Sequence, residues 1–160
     1  MSSLDPRKSL LDQLKNAFTI EESPVWMDSS TTSECRKIEE ACGGAMELAQ
    51  VTGSRAYERF TGPQIKKISS TQPDVYKNTE RISVVSSFMA SLLVGGYAPI
   101  DHSDGAGMNL MDIKKKEWSK VALEVCNDSN FYMVHVKFVF TVHGGFSDAK
   151  FRLLYLTNIV

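Results

Sequence analysis

The sequence is poor in the features that most often betray a function. Only three of its 160 residues are cysteine, Cys35, Cys42 and Cys126. So odd and sparse a set builds no disulfide framework, and it suits a reducing compartment, so the expected location is cytoplasmic. Neither sign of charge dominates, since 18 basic and 19 acidic residues leave a net charge of -1. That excludes the basic footprint of a nucleic-acid binder, and Lys114-Lys115-Lys116 is expected to be a solvated loop. No run approaches the roughly 20 apolar residues that cross a bilayer, so no membrane partner is expected. The first residues, Met1 to Asn16, are polar and lack the apolar centre of a signal peptide. No G-x-x-x-x-G-K-[ST] phosphate cradle occurs, and Gly105-x-Gly107 lacks the third glycine of a dinucleotide fingerprint. His102, His135 and His143 do not fall at metal-ligand spacing, and no metal site is expected.

What remains is an ordinary globular composition, 42% hydrophobic and 23% charged, enough for one core. Asp5-Pro6 reads as a helix start, with Leu10, Leu11, Leu14 and Phe18 at helical spacing. Pro24 to Met27 reads as a short buried strand with Asp28 at its end. Thr31 and Glu34 form a capping box for a helix that carries Cys35, Ile38 and Cys42 on one face and stops at Gly43-Gly44. Further helices are expected before Gly53, after Gly62-Pro63 and over Ser87 to Val94, with a short turn or helix from Pro73. Ile82 to Val85 suits a strand, Asp101 to Gly107 a loop, and Met108 to Met111 a short strand. Ser119 caps a last helix with Trp118 as its staple. Strands alternating with helices predict an α/β fold. Residues 127–160 differ in character, with alternating apolar residues that read as a β-hairpin.

Three groups have chemistry to offer. In Asp101 to Gly107, a carboxylate followed by small residues can approach a ligand closely and serve as a general base; the alternative is a polar turn with two glycines. Trp26 and Asp28 place an indole wall beside an acid at a strand end, where open α/β sheets bind ligands; the alternative is a core tryptophan and a loop acid. Arg55, Tyr57, Glu58 and Arg59 gather polar groups before Phe60, with Arg59 either a donor to hydroxyls or half of an exposed ion pair.

Four ordered segments carry a resemblance: Pro24 to Thr32, Thr52 to Gly62, Thr79 to Phe88, and Ile100 to Leu110 with its Ser103-Asp104-Gly105-Ala106-Gly107-Met108-Asn109. Together they closely resemble eukaryotic xylulose kinases of the plant type, in the FGGY family of carbohydrate kinases, from about Ser3 to about Val125. The resemblance implies the first of two ribonuclease-H-like domains, as in actin and hexokinase, with the sugar deep in a cleft. It implies Asp104 as catalytic base, Arg59 as a sugar-binding residue, and Asp28 and Trp26 beside the cleft. The implied substrate is D-xylulose or a related ketose, phosphorylated at the expense of ATP with Mg2+. The family's glycine-rich phosphate hairpin and its ATP domain have no counterpart in the 160 residues. The expectation is therefore a partial N-terminal kinase domain over 1–126, followed by a divergent tail over 127–160. Such a chain would be inactive by itself, and could associate with full-length kinase.

Overall fold

The computed structural model describes residues 4–126. Among them are eight helices and one two-stranded ribbon. Helix α2 (Thr32–Ala41) stops as its sequence says it should. The Gly44 N–H reaches the Glu39 carbonyl at 2.8 Å and the Gly43 N–H reaches Glu40 at 3.1 Å, with Gly43 at φ 92°. This paired closure needs a left-handed residue, which glycine adopts without a Cβ penalty.

Helices α3 (Ala45–Thr52), α4 (Thr61–Thr71), α5 (Pro73–Lys77), α6 (Val85–Val94), α7 (His102–Gly107) and α8 (Lys120–Cys126) follow. The ribbon pairs β1 (Met111–Asp112) with β2 (Glu117–Trp118) antiparallel, Met111 opposite Trp118. Lys114, Lys115 and Lys116 form its exposed turn, as expected, with Asp112 accepting from the Lys114 and Lys115 amides.

The core lies where α2, α4 and α8 meet and extends to α3 and to the chain on either side of α7. Cys35, Ile38, Leu48, Ala56, Ile100, Met108, Leu110, Ala122 and Cys126 are its buried apolar members. Small residues let these helices close up: a Cβ on Gly62 would stand 3.0 Å from the Met108 carbonyl oxygen. Cys35 and Cys126 are buried thiols as read, while Cys42 is half-buried at the end of α2. Ser119 caps α8, its hydroxyl accepting from the Ala122 amide at 3.4 Å, and Trp118 and Leu123 pack against the core beside it. The Ser119 cap therefore forms as read.

Several elements differ from their sequence reading. Helix α1 is only Leu10–Leu14 and does not reach Phe18. Asp5 does not cap it. Its carboxylate instead takes the Arg7 amide and guanidinium, and its amide donates to Gln13 Oε1 at 2.7 Å. The segment from Pro24 runs into a turn over Val25 to Asp28, closed by the Asp28 N–H on the Val25 carbonyl at 2.9 Å, and no strand pairs with it among the described residues. Val25, Trp26 and Met27 are exposed, not buried. Ile82 to Val84 leads into α6 without pairing, and the strand expected over Met108 to Met111 shrinks to the start of β1. Asp101 to Gly107 is no loop, because Asp101 accepts the Ser103 amide at 2.8 Å and so starts α7. A side-chain cap of this kind offsets the poor helix propensity of Gly105 and Gly107. The hairpin read over 127–160 lies outside the described residues.

Candidate functional site

The segment between α3 and α4 carries Arg55 to Phe60, and hydrogen bonds fix both its ends. At its start, the Asn109 amide donates to Thr52 Oγ1 at 2.8 Å and to the Ser54 carbonyl at 3.1 Å. At its end, the Gly62 N–H donates to the Met108 carbonyl at 2.9 Å. Met108 and Asn109 directly follow α7, so one short stretch of backbone holds the Arg59 loop and the helix of Asp104 in one frame. Asn109 is fully buried and sits at φ 64°, a left-handed conformation that asparagine tolerates better than most residues.

The loop's middle is held by Glu58, whose carbonyl accepts from Thr31 Oγ1 at 2.7 Å and Gln64 Nε2 at 3.1 Å. Thr31 thus spends its hydroxyl on the loop and leaves α2 without a side-chain cap, so the expected capping box does not form.

The two arginines of the loop have different fates. Arg55 lies 3.4 Å from Glu39 Oε1, while Arg36 takes Glu39 Oε2 at 2.5 Å. Arg59 makes no hydrogen bond or ion pair among the described residues. Its guanidinium carbon lies 5.2 Å from the Trp26 ring centroid and 5.8 Å from that of Tyr57. The two sequence-read residues Trp26 and Arg59 are therefore together, and Tyr57 joins them.

Asp28 follows Trp26 by two residues. Its Oδ1 accepts from the Ser30 amide at 2.8 Å and from the Ser30 hydroxyl, and Lys67 Nζ stands 3.4 Å from Oδ2. The Ser30 hydroxyl first, then the Ser30 amide, hold this carboxyl well below the usual aspartate range, with smaller help from Gln64 and Lys67. Lys67 and Gln64 were not singled out in the sequence. Their spacing after Gly62-Pro63 marks them only as helical residues, and nothing local says that they face Asp28.

Asp104 is half-buried in α7, and Ser86 of α6 donates to its Oδ2. It makes no hydrogen bond or ion pair to Arg59, Trp26 or Asp28. Among the described residues no group of three or more His, Cys, Asp or Glu could hold a metal ion. An open cavity of about 440 Å³ lies elsewhere, lined by Lys37, Ala41, Lys66, Val121, Glu124 and Val125. The side-chain partner that the described residues give the Asp104 carboxylate is the Ser86 hydroxyl, and no Lys or Arg is paired with it.

The family model of the N-terminal domain of the FGGY family of carbohydrate kinases matches residues 8–139. The chain belongs to that family. It is 69% identical over 124 residues to xylulose kinase 2 of Arabidopsis thaliana, covering 78% of this chain and 22% of the relative. It is 56% identical over 126 residues to xylulose kinase of Mus musculus, covering 79% of this chain and 23% of the relative. A crystal structure titled a xyloylose kinase from Brucella ovis superposes with a TM-score of 0.58 at 20% identity, over 79% of this chain and 23% of that one. That likeness supports the fold alone: the few strands and many helices seen here form part of the sugar-kinase α/β domain. The chain spans under a quarter of the length of these relatives. No helix of the described residues is long and apolar enough to cross a membrane.

Proposed function

We propose that this chain is the sugar-side portion of a xylulose kinase, which phosphorylates D-xylulose to D-xylulose 5-phosphate with ATP and Mg2+ in the cytoplasm. The observation that carries the reading is Arg59. It lies over two aromatic faces with no hydrogen bond or ion pair among the described residues, inside a region 69% identical to a plant xylulose kinase. A planar guanidinium with free donors suits adjacent hydroxyls of a ketose. Trp26 offers the apolar wall, and Asp28, ionised and braced by Ser30 and Lys67, offers an acceptor beside it. The kinase portion is proposed to end near residue 126, with 127–160 as a divergent tail, while the family match itself reaches residue 139.

Asp104 is the proposed base. Its Oδ2 is occupied by Ser86, which leaves Oδ1 as the atom proposed to take the proton of the acceptor hydroxyl. Magnesium and ATP would be held by polypeptide outside the described residues. The same Ser86 bond favours a second role for Asp104, a tie between α6 and α7. Asp104→Asn in a full-length kinase carrying this segment separates the two. A base loses kcat by about a hundredfold or more with the melting temperature kept, whereas a tie loses melting temperature with kcat kept.

The direct test of the chain is calorimetric titration with D-xylulose beside a coupled ADP-release assay. Binding without turnover supports the proposal. Ordinary kinase turnover by the purified chain, or no binding of any ketose, refutes it. A second reading, a non-catalytic piece that associates with full-length kinase, is favoured by α6. That helix buries Ser87 and Ser91 while exposing Val85, Met89 and Leu93. Co-purification of tagged chain with full-length kinase supports it, and separate elution counts against it.

A further inference from the structure

Tyr57 has no role in the reading above, yet its position is tightly determined. The Phe60 N–H closes a turn on the Tyr57 carbonyl at 3.0 Å, and the next residue, Glu58, is pinned through its carbonyl by Thr31 and Gln64. The Tyr57 ring meets Phe60 edge-on, centroids 5.5 Å apart at 67°. This bracing leaves Tyr57 44% exposed, with the Arg59 guanidinium over its ring. Trp26, 51% exposed, meets the same guanidinium from another element.

A long arginine on a surface loop ordinarily samples many rotamers, and a ligand that uses it must stop that motion. Stacking on aromatic faces restricts the guanidinium without consuming any of its N–H donors, because the attraction is to the ring and not to a lone pair. Arg55, four residues earlier in the same loop, is restrained instead by Glu39, which directs its charge toward that acid.

We infer that Tyr57 is a positioning residue for sugar recognition, acting through Arg59: with Trp26 it presents the guanidinium edge, donors free, to adjacent hydroxyls of a polyol. The inference rests on the proposed sugar site. It requires that the phenol ring matter and the phenol hydroxyl not, since the hydroxyl makes no hydrogen bond among the described residues.

The test has one arm without ligand and one with it. In the chain, the Arg59 Nε–Hε resonance is followed by NMR in wild type, Tyr57→Phe and Tyr57→Ala. The wild-type proton is expected to be shifted by ring currents, to keep that shift in Tyr57→Phe, and to move toward the random-coil position in Tyr57→Ala. Titration with D-xylulose is expected to show the dissociation constant raised about threefold to fivefold in Tyr57→Ala and unchanged in Tyr57→Phe. An Arg59 resonance indifferent to Tyr57→Ala overturns the inference. So does full sugar affinity in Tyr57→Ala when Arg59→Ala has lost it. If Arg59→Ala binds as wild type, or the wild-type chain takes no ketose, the sugar-site reading itself falls and this inference with it.

Discussion

The Thr31 hydroxyl stands 2.7 Å from the Glu58 carbonyl oxygen, joining the residue just before a helix to a loop 27 positions further along. Thr31 is fully buried, so this bond is made away from water. Thr31→Val keeps the shape and removes the donor. Gln64 still reaches the carbonyl, so the loss is about 1 kcal/mol and not the full penalty of an orphaned group. The melting temperature should fall by roughly 4 °C, and hydrogen exchange at the Tyr57 to Phe60 amides should quicken. Thr31→Ser should restore both. A Thr31→Val variant that melts with wild type, its loop amides unchanged, would remove Thr31 from the support of Arg59.

Much of this frame is not legible along the chain, for a physical reason. Helix stops and caps are local, so Gly43-Gly44 and Ser119 read correctly. Thr31 carries an equally good local signal, and a long-range acceptor overrides it. Trp26 beside two apolar residues reads as a buried strand, but a strand needs a partner, and the Asp28 amide folds back on Val25 instead. Asp101 to Gly107 reads as a loop because its glycines disfavour helix, whereas one carboxylate cap suffices to start six helical residues. Of the site, Arg59, Trp26, Asp28 and Asp104 are suggested by resemblance. That Arg55 is paired and Arg59 stacked follows only from where Glu39 and Trp26 come to lie.

Asp28 gives a prediction with a definite sign. Its folded-state pKa is depressed, so it contributes stability above the ordinary aspartate range, lost as pH falls through that range and below it. The Asp28 carboxyl carbon, followed by NMR, should still report an ionised group near pH 3, where an ordinary aspartate, with a pKa of about 3.9, is mostly protonated. Ser30→Ala removes the largest cause, and the midpoint should rise toward the ordinary value. Lys67→Met should raise it less. An unmoved midpoint in Ser30→Ala would assign the depression to some other group.

Gly62 tests the joint between α7 and the Arg59 loop. A Cβ there would stand 3.0 Å from the Met108 carbonyl oxygen and 3.1 Å from Leu110 Cδ2, and the first of these is backbone that cannot swing aside. The Gly62 amide also donates to that same carbonyl, so displacement lengthens a hydrogen bond. Gly62→Ala should cost about 1–3 kcal/mol, the range for forcing volume into a packed region. Equilibrium urea unfolding measures it. A variant as stable as wild type would mean that the joint yields, and that Asp104 and Arg59 are less firmly coupled than the geometry states.

The cysteines make the alkaline limb of the stability curve informative. Burial pushes the Cys126 thiol up to about 12 and the Cys35 thiol up to about 11, against an ordinary value near 9. A thiol whose pKa is raised by folding stays neutral in the native state while it ionises in the unfolded one. Above the ordinary value the unfolded chain therefore binds fewer protons, and stability falls as pH rises. The fall should begin near pH 9 and continue toward 11 to 12. Cys126→Ala removes the larger of these contributions, so its stability should decline less steeply over that range even if it starts lower at pH 7. Alkylation of native chain at pH 8 should follow exposure, with Cys42 modified first and Cys35 and Cys126 protected until the chain opens. Equal slopes for wild type and Cys126→Ala, or Cys126 alkylated as fast as Cys42, would show that the meeting point of α4 and α8 is open to water.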